Sequence, residues 1–261
     1  MTQTAAKAMN PSASEDSISY KGYRFPPDVI SYAVWLYYRF PLSLRMVEEM
    51  LAARGIEVSY ETVRSWAAKF GIAVTHRIRT RAPARADKWH LDEVVVTMCG
   101  KKHWLWRAVD QEGVLVQSRR DKAAAVRLMR KLLKRHGCPR VIVTDKLRSY
   151  AAANHELGLH IEHWQHKGLN NRAENSHQPT RVREKVLRRF KSVRHLQCFA
   201  SVLGQVANLF MGCRYNRSAQ AKREARAQAF TAWNLASCAL MAAYAPRFDQ
   251  CPTYVYNPRL T

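Results

Sequence analysis

Between Asp87 and Asp145 the chain leaves helical periodicity for a two-residue alternation, then returns to it, and this switch restricts the fold more than any other feature. The run WHLDEVVVTM is short and β-branched, Gly100-Lys101 makes a turn, and HWLWRAVD alternates with period two. Asp110 to Gly113 is a second turn, and VLVQS reads as a third strand. Lys122 to Arg135 is then helical, with Ala125, Val126, Met129, Leu132 and Leu133 facing inward and Gly137 and Pro139 ending it. Val141 to Asp145 is a buried strand that ends on an acid. Three antiparallel strands, a helix and a buried strand predict an α/β fold, a mixed sheet with flanking helices. A long helix from Leu196 to Tyr215 supplies further core.

The chain before this region reads as all-α. Residues 1–22 have no period and are expected to be disordered. A helix is expected from Pro27 to Phe40, closed by Pro41. Leu44, Val47 and Leu51 form one apolar stripe, Gly55 breaks it, and Ser59 caps a helix carrying Val63, Trp66, Ala67 and Phe70 inward and ending at Gly71. Two short helices about a glycine turn make a helix-turn-helix candidate over 23–75, although an ordinary helical hairpin has the same pattern. Its outer face carries Glu61, Arg64, Ser65, Ala68 and Lys69. Arg64 is the residue to send to a base edge or phosphate, with Tyr60, Ser65 and Lys69 beside it. The tract over 76–86, with Arg77, Arg79 and Arg81, reads as a basic linker tracking phosphate and as the domain boundary. The core domain then spans 87–215, and 216–261 is a helical and irregular tail.

Charge narrows the partner. The 261 residues hold 43 Lys+Arg against 20 Asp+Glu, a formal charge of +23. In a folded chain that excess points to a polyanion, because neutralising phosphates releases condensed counterions. The near-apolar stretch from Leu235 to Ala245 is far shorter than the ~20 residues of a membrane span. Residues 1–20 contain no apolar leader segment, so a cytoplasmic, nucleoid-associated protein is expected. Six cysteines lie far apart with no C-x-x-C pair, against both a structural zinc site and a disulfide scaffold.

With so few acids, those at strand ends stand out. Asp92 lies in the first β-branched run and Asp145 ends the later strand. If these strands are neighbours the carboxylates converge, an arrangement that favours a hard divalent cation between them. A third acid would complete a two-metal site, and Glu156, Glu162, Glu174 and Glu184 are the candidates. Glu174 sits in a stretch from 170 to 195 where eight Lys/Arg face two acids. Pro179 requires either a kinked helix or one that starts near it, with Glu174 just ahead. Asn170, Asn171 and His177 can orient ligands there, and Lys146 can contact DNA or neutralise its neighbour. His155, His160, His163 and His166 lack the spacing of a transition-metal site. Trp89, Trp104 and Trp106 read as sheet-face residues, and Trp164 as the better base-stacking candidate.

The segments KGYRFPPDVISYAVWLYYRFPLSLRMVEEML, WHLDEVVV, KKHWLWRAVDQEG, VTDKLRSY and NNRAENSHQPTRVREKVLRRFKS, in that order over about residues 20–215, resemble the DDE transposases of bacterial insertion sequences. The specific group is the IS-six family, which moves by replicative transposition through cointegrates. The resemblance implies a helix-turn-helix followed by an RNase H-like core, with the acidic triad on Asp92, Asp145 and Glu174. It implies two Mg²⁺ ions (Mn²⁺ able to substitute), nicking of double-stranded DNA at the terminal inverted repeats, and transfer of the freed 3′-hydroxyl to target DNA. Arg181, Lys185, Arg188 and Arg189 would hold phosphates, and a homo-oligomer would hold the two ends. Only 28 residues separate Asp145 from Glu174, fewer than is usual in that family, so a trimmed loop is expected between Ala151 and Lys167. A non-catalytic helix-turn-helix regulator and an inactive remnant are the alternatives; the regulator leaves three motif-embedded acids unexplained, and a chain intact through all three acids disfavours the remnant.

Overall fold

The computed structural model describes residues 18–81, 87–109, 113–145, 147–165, 177–186, 190–211 and 218–238. Helix α1 runs Pro27–Arg39 with proline in its first turn and Asp28 beside the N-terminal dipole. Helix α2 spans Leu44–Ala52; Ser43 caps it by accepting from the Met46 N–H at 3.1 Å. Gly55, at φ 72°, makes the turn, and Ser59 accepts from the Thr62 N–H at 3.3 Å to start α3.

Helix α3, Tyr60–Arg81, is longer than the sequence pattern suggests. It continues through Gly71, where a stop was expected, and takes in the first part of the tract read as linker. Gly71 serves close packing instead. A Cβ there would lie 2.6 Å from Cε2 of Tyr38, whose hydroxyl donates to the Ala67 carbonyl at 3.1 Å. The missing side chain lets the Tyr38 ring of α1 lie against the α3 backbone.

Strands β1 (Lys88–Met98), β2 (Lys101–Ala108) and β3 (Gly113–Gln117) form an antiparallel meander. Helix α4 (Lys122–His136) follows, capped by the Asp121 carboxylate and ended by Gly137 at φ 75°. It leads into β4 (Val141–Thr144), parallel to β1. The segment expected to be a trimmed loop holds instead a helix, α5 (Arg148–Glu156), and a fifth strand, β5 (Glu162–Gln165), parallel to β4. The pattern hid both because they are short. Neither face of β5 is fully buried, so it carries no apolar alternation. The sheet order β3-β2-β1-β4-β5, with only β2 running against the rest, is that of an RNase H-like core.

Helices α6 (Gln178–Val186), α7 (Val193–Met211) and α8 (Ala219–Ser237) complete the described elements. Alternation along β1 divides the interior. Trp89 and Leu91 pack with α4 and α5 through Leu128, Met129 and Tyr150. Val94, Val96 and Met98 join the other core, which includes Phe199 and Leu203 of α7, Val34 of α1, Trp66 and Phe70 of α3 and Trp233 of α8. The helical N-terminal region and the sheet therefore share one hydrophobic core. Helix α8, part of the tail with no assigned role, closes it: the Trp233 indole N–H donates to Ser31 Oγ at 3.0 Å, and the Tyr20 hydroxyl donates to the Ser237 carbonyl at 2.7 Å.

Candidate active site

The last residues paired between β1 and β4 are His90 and Val143. Two positions further along each strand stand Asp92 and Asp145. Parallel neighbours advance in step, so the two carboxylates emerge side by side, Asp92 within β1 and Asp145 just past the C-terminal end of β4. Carboxylate oxygens of Asp92, Glu93 and Asp145 all lie within 4.8 Å of one another. Asp92 and Glu93 are each only 8% exposed, so their charges are poorly solvated.

Glu93 leaves β1 on the face opposite Asp92 and is fully engaged. Its Oε1 accepts from Arg120 Nε at 2.8 Å and from Arg120 Nη2, and its Oε2 accepts from the Tyr150 hydroxyl at 3.0 Å. Burial raises the Glu93 carboxyl above its ordinary range, and the Arg120 hydrogen bond pulls it part of the way back. The same burial, with the neighbouring Glu93 charge, keeps the Tyr150 phenol protonated far into alkali. Arg120 Nη2 also stands 3.6 Å from Asp145 Oδ2, while Asp145 Oδ1 accepts from the Leu147 N–H at 3.0 Å. The sequence reading missed this trio. Its signals were the acid following Asp92 in WHLDE, the Arg119-Arg120 pair after β3, and the lone tyrosine of KLRSY.

Asp92 meets a residue from the far end of the core. His177, just ahead of α6 and 2% exposed, places Nε2 3.2 Å from Asp92 Oδ2. Helix α6 starts at Gln178 with Pro179 in its first turn, which selects the second of the two alternatives considered for Pro179. Glu174 lies outside the described residues, as do Lys146, Asn170, Asn171, Arg188, Arg189 and the side chain of Arg81. The other three candidates for a third acid are committed elsewhere. Glu156 pairs with Lys122 at 2.8 Å, Glu162 accepts from the Trp164 indole N–H at 2.5 Å, and Glu184 accepts from the Thr97 N–H at 3.4 Å.

The residues expected on DNA distribute as follows. On α3, Val63, Trp66, Ala67 and Phe70 are buried, whereas Arg64, Ser65 and Lys69 are exposed. Arg64 pairs with Glu61 at 2.9 Å and lies over the Tyr60 ring, and Lys69 Nζ sits 4.7 Å above the Tyr23 ring. Arg77 is turned inward to the end of α8, donating to the Leu235 carbonyl at 3.3 Å and Cys238 Sγ at 2.6 Å. Arg79 is half-buried. On α6, Arg181 and Lys185 are exposed. Trp89 and Trp106 are core residues, Trp104 lies beneath Arg120 at 4.9 Å, and Lys88 Nζ stands 4.0 Å over Trp164. Among the described histidines, His163 bonds Thr144 Oγ1 at 2.8 Å rather than joining a metal cluster.

The DDE domain of IS240-type transposases matches residues 86–212. The transposase of insertion sequence IS257 in transposon Tn4003 of Staphylococcus aureus is 30% identical over 170 residues, 62% of this chain and 76% of its own. The chain belongs to the DDE transposases of the IS-six family. The transposase of the IS431mec element of Staphylococcus aureus strain Mu50 is equally similar, at 30% over 170 residues. Among solved structures, the HTLV-2 integrase catalytic core with magnesium aligns over 54% of the transposase and 95% of its own chain, at 15% identity and TM-score 0.34. The Drosophila P element transposase strand transfer complex aligns over 80% and 64%, at 13% identity and TM-score 0.34.

This transposase is thus an enzyme of DNA cleavage and strand transfer that works through a divalent metal. The donors at the sheet end suit that metal: hard oxygen ligands, mutually repelling, with Asp145 partly open to solvent. No helix among the described residues is long and apolar enough to cross a membrane.

Proposed function

We propose that the transposase nicks each end of its element and joins the freed 3′-hydroxyl to target DNA by a replicative, cointegrate-forming route, with Asp92, Asp145 and Glu174 holding two Mg²⁺ ions. The observation that carries this reading is the emergence of Asp92 and Asp145 in step from adjacent parallel strands, their oxygens within 4.8 Å. Bound there, the ions supply activation of water and of the 3′-hydroxyl, and neutralise the leaving oxygen. The chain's own residues set the stage. Two residues separate Glu174 from His177, a Cα–Cα reach of at most about 11 Å, so the His177–Asp92 contact supports Glu174 as the third ligand.

His177 orients Asp92 by packing Nε2 3.2 Å from Oδ2 of its carboxylate. The exposed cations Arg181 and Lys185 hold backbone phosphates beside the site, joined by Arg188 and Arg189. On α3, Arg64, Ser65 and Lys69 read the terminal repeat, with Tyr60 at the helix start. A homo-oligomer brings the two ends together. Arg77, engaged at the end of α8, is a structural residue in this reading. Cointegrate formation in cells tests it, using the gene with its native flanks on a donor plasmid beside Asp145→Ala. Replicon fusion by the wild type and none by the variant is expected. Flanking-DNA binding without fusion by either chain would favour the regulator or remnant.

A further inference from the structure

We infer that Arg120, anchored by Glu93 and Tyr150, is a positioning residue that sets the Asp145 carboxylate for metal; this rests on the reading of Asp145 as a metal ligand. Asp92, Glu93 and Asp145 crowd their oxygens within 4.8 Å, and three carboxylates at that spacing repel. Glu93 does not act as a ligand here. Its Oε1 is taken by Arg120 and its Oε2 by Tyr150, and its side chain has no exposure. It is the fixed counter-charge that holds the guanidinium.

Arg120 reaches this position from the segment between β3 and α4. Since β2 lies between β3 and β1, the side chain must cross a whole strand to meet Glu93. It does so over the Trp104 ring of β2, 4.9 Å from the centroid, and extends Nη2 to within 3.6 Å of Asp145 Oδ2. Holding so long a side chain extended costs rotamer entropy, which cation–π contact and a buried carboxylate offset. A salt bridge serving only the core would end at Glu93. This one continues to Asp145, whose Oδ1 accepts from the Leu147 N–H among the described residues. Tyr150 is pinned in turn, buried and edge-on to Trp106 at 5.5 Å. The order of control runs from Trp106 through Tyr150, Glu93 and Arg120 to Asp145.

The test measures Mn²⁺ affinity of the full-length protein by electron paramagnetic resonance, and the metal concentration for half-maximal strand joining on a terminal-repeat oligonucleotide. Arg120→Lys keeps the charge but loses the planar fork, so orientation alone is removed. A 10–100-fold weaker Mn²⁺ affinity is expected, a similar rise in the metal requirement, and recovery of joining at saturating metal. Tyr150→Phe keeps the packing and should shift both readings the same way by a smaller factor; it decides the matter if Arg120→Lys does not fold. Unchanged Mn²⁺ affinity in the folded variants, beside an Asp145→Ala control that has lost binding, overturns the role of Arg120 alone. Undiminished Mn²⁺ binding by Asp145→Ala overturns the metal reading of Asp145, and this inference with it.

Discussion

The buried guanidinium of Arg183 on α6 donates to the backbone carbonyl of Tyr37 on α1, 146 residues earlier in the chain. It also donates to the Leu42 carbonyl at 3.0 Å and lies over the rings of Tyr37 and Phe199. Tyr37 is in the last turn of α1, where carbonyls lack intrahelical partners and the dipole favours a cation. Burial pushes the Arg183 pKa down to about 10, still high enough for full charge at neutral pH. One residue thus ties the helix following the Glu174 segment to the first helix of the N-terminal region.

Replacing Arg183 with Ala should destabilise the fold by about 2–4 kcal/mol, since it strands two carbonyls and leaves a cavity against Phe199. Denaturant midpoints of the purified protein measure it. A change below about 0.5 kcal/mol would mean that water replaces the guanidinium without cost.

At Gly71, alanine has two opposed effects. In an open helix the change would stabilise by about 1 kcal/mol. Here the new Cβ meets the Tyr38 ring at 2.6 Å, and that ring is held by its hydroxyl. Overpacking costs about 1–3 kcal/mol and should win, so Gly71→Ala is expected to lower the melting temperature. A higher one would show that Tyr38 moves freely.

Acid should weaken the fold through His163 and His195, whose pKa values burial lowers from 6.5. Below that pH the unfolded imidazoles take up protons that the folded ones resist. The unfolded chain then binds more protons, and stability falls as pH falls through about 6. Urea melts at pH 7.5 and 5.5 should differ more for the wild type than for His163→Gln/His195→Gln. Equal differences would assign the acid sensitivity to other groups.

DNA affinity should drop steeply with salt, by about a thousandfold between ~50 and ~200 mM if six or more phosphates are neutralised. Arg64→Ala should weaken terminal-repeat binding more than binding to random duplex. Equal losses on both would make Arg64 a phosphate contact only.

Much of this architecture was legible in the sequence because it rests on long, strongly periodic runs. The inward stripe of α3, the β-branched β1 and the amphipathic α4 each bury one face, and burial is what periodicity records. The acids Asp92, inside the first β-branched run, and Asp145, after the later strand, could be placed from the strand pattern. What escaped was set by tertiary contact. Gly71 looked like a helix stop because only the approach of Tyr38 gives it another purpose. Arg77 looked like a phosphate contact until α8 came to meet it. The partnership of Arg120 with Glu93 joins residues 27 apart in sequence through a side chain that crosses a strand, and no local pattern encodes that.

The seating of Trp233 in the same core as α1 and α3 bears on how such an element behaves when its gene is damaged. A copy cut short before codon 219 would lack the helix that covers Ser31 and caps the approach of Arg77, and solubility of the 1–218 fragment reads this directly. Broken copies of this gene would then make chains that cannot keep α3 in place. They would fall silent, and would not persist as repressors of the intact copies beside them.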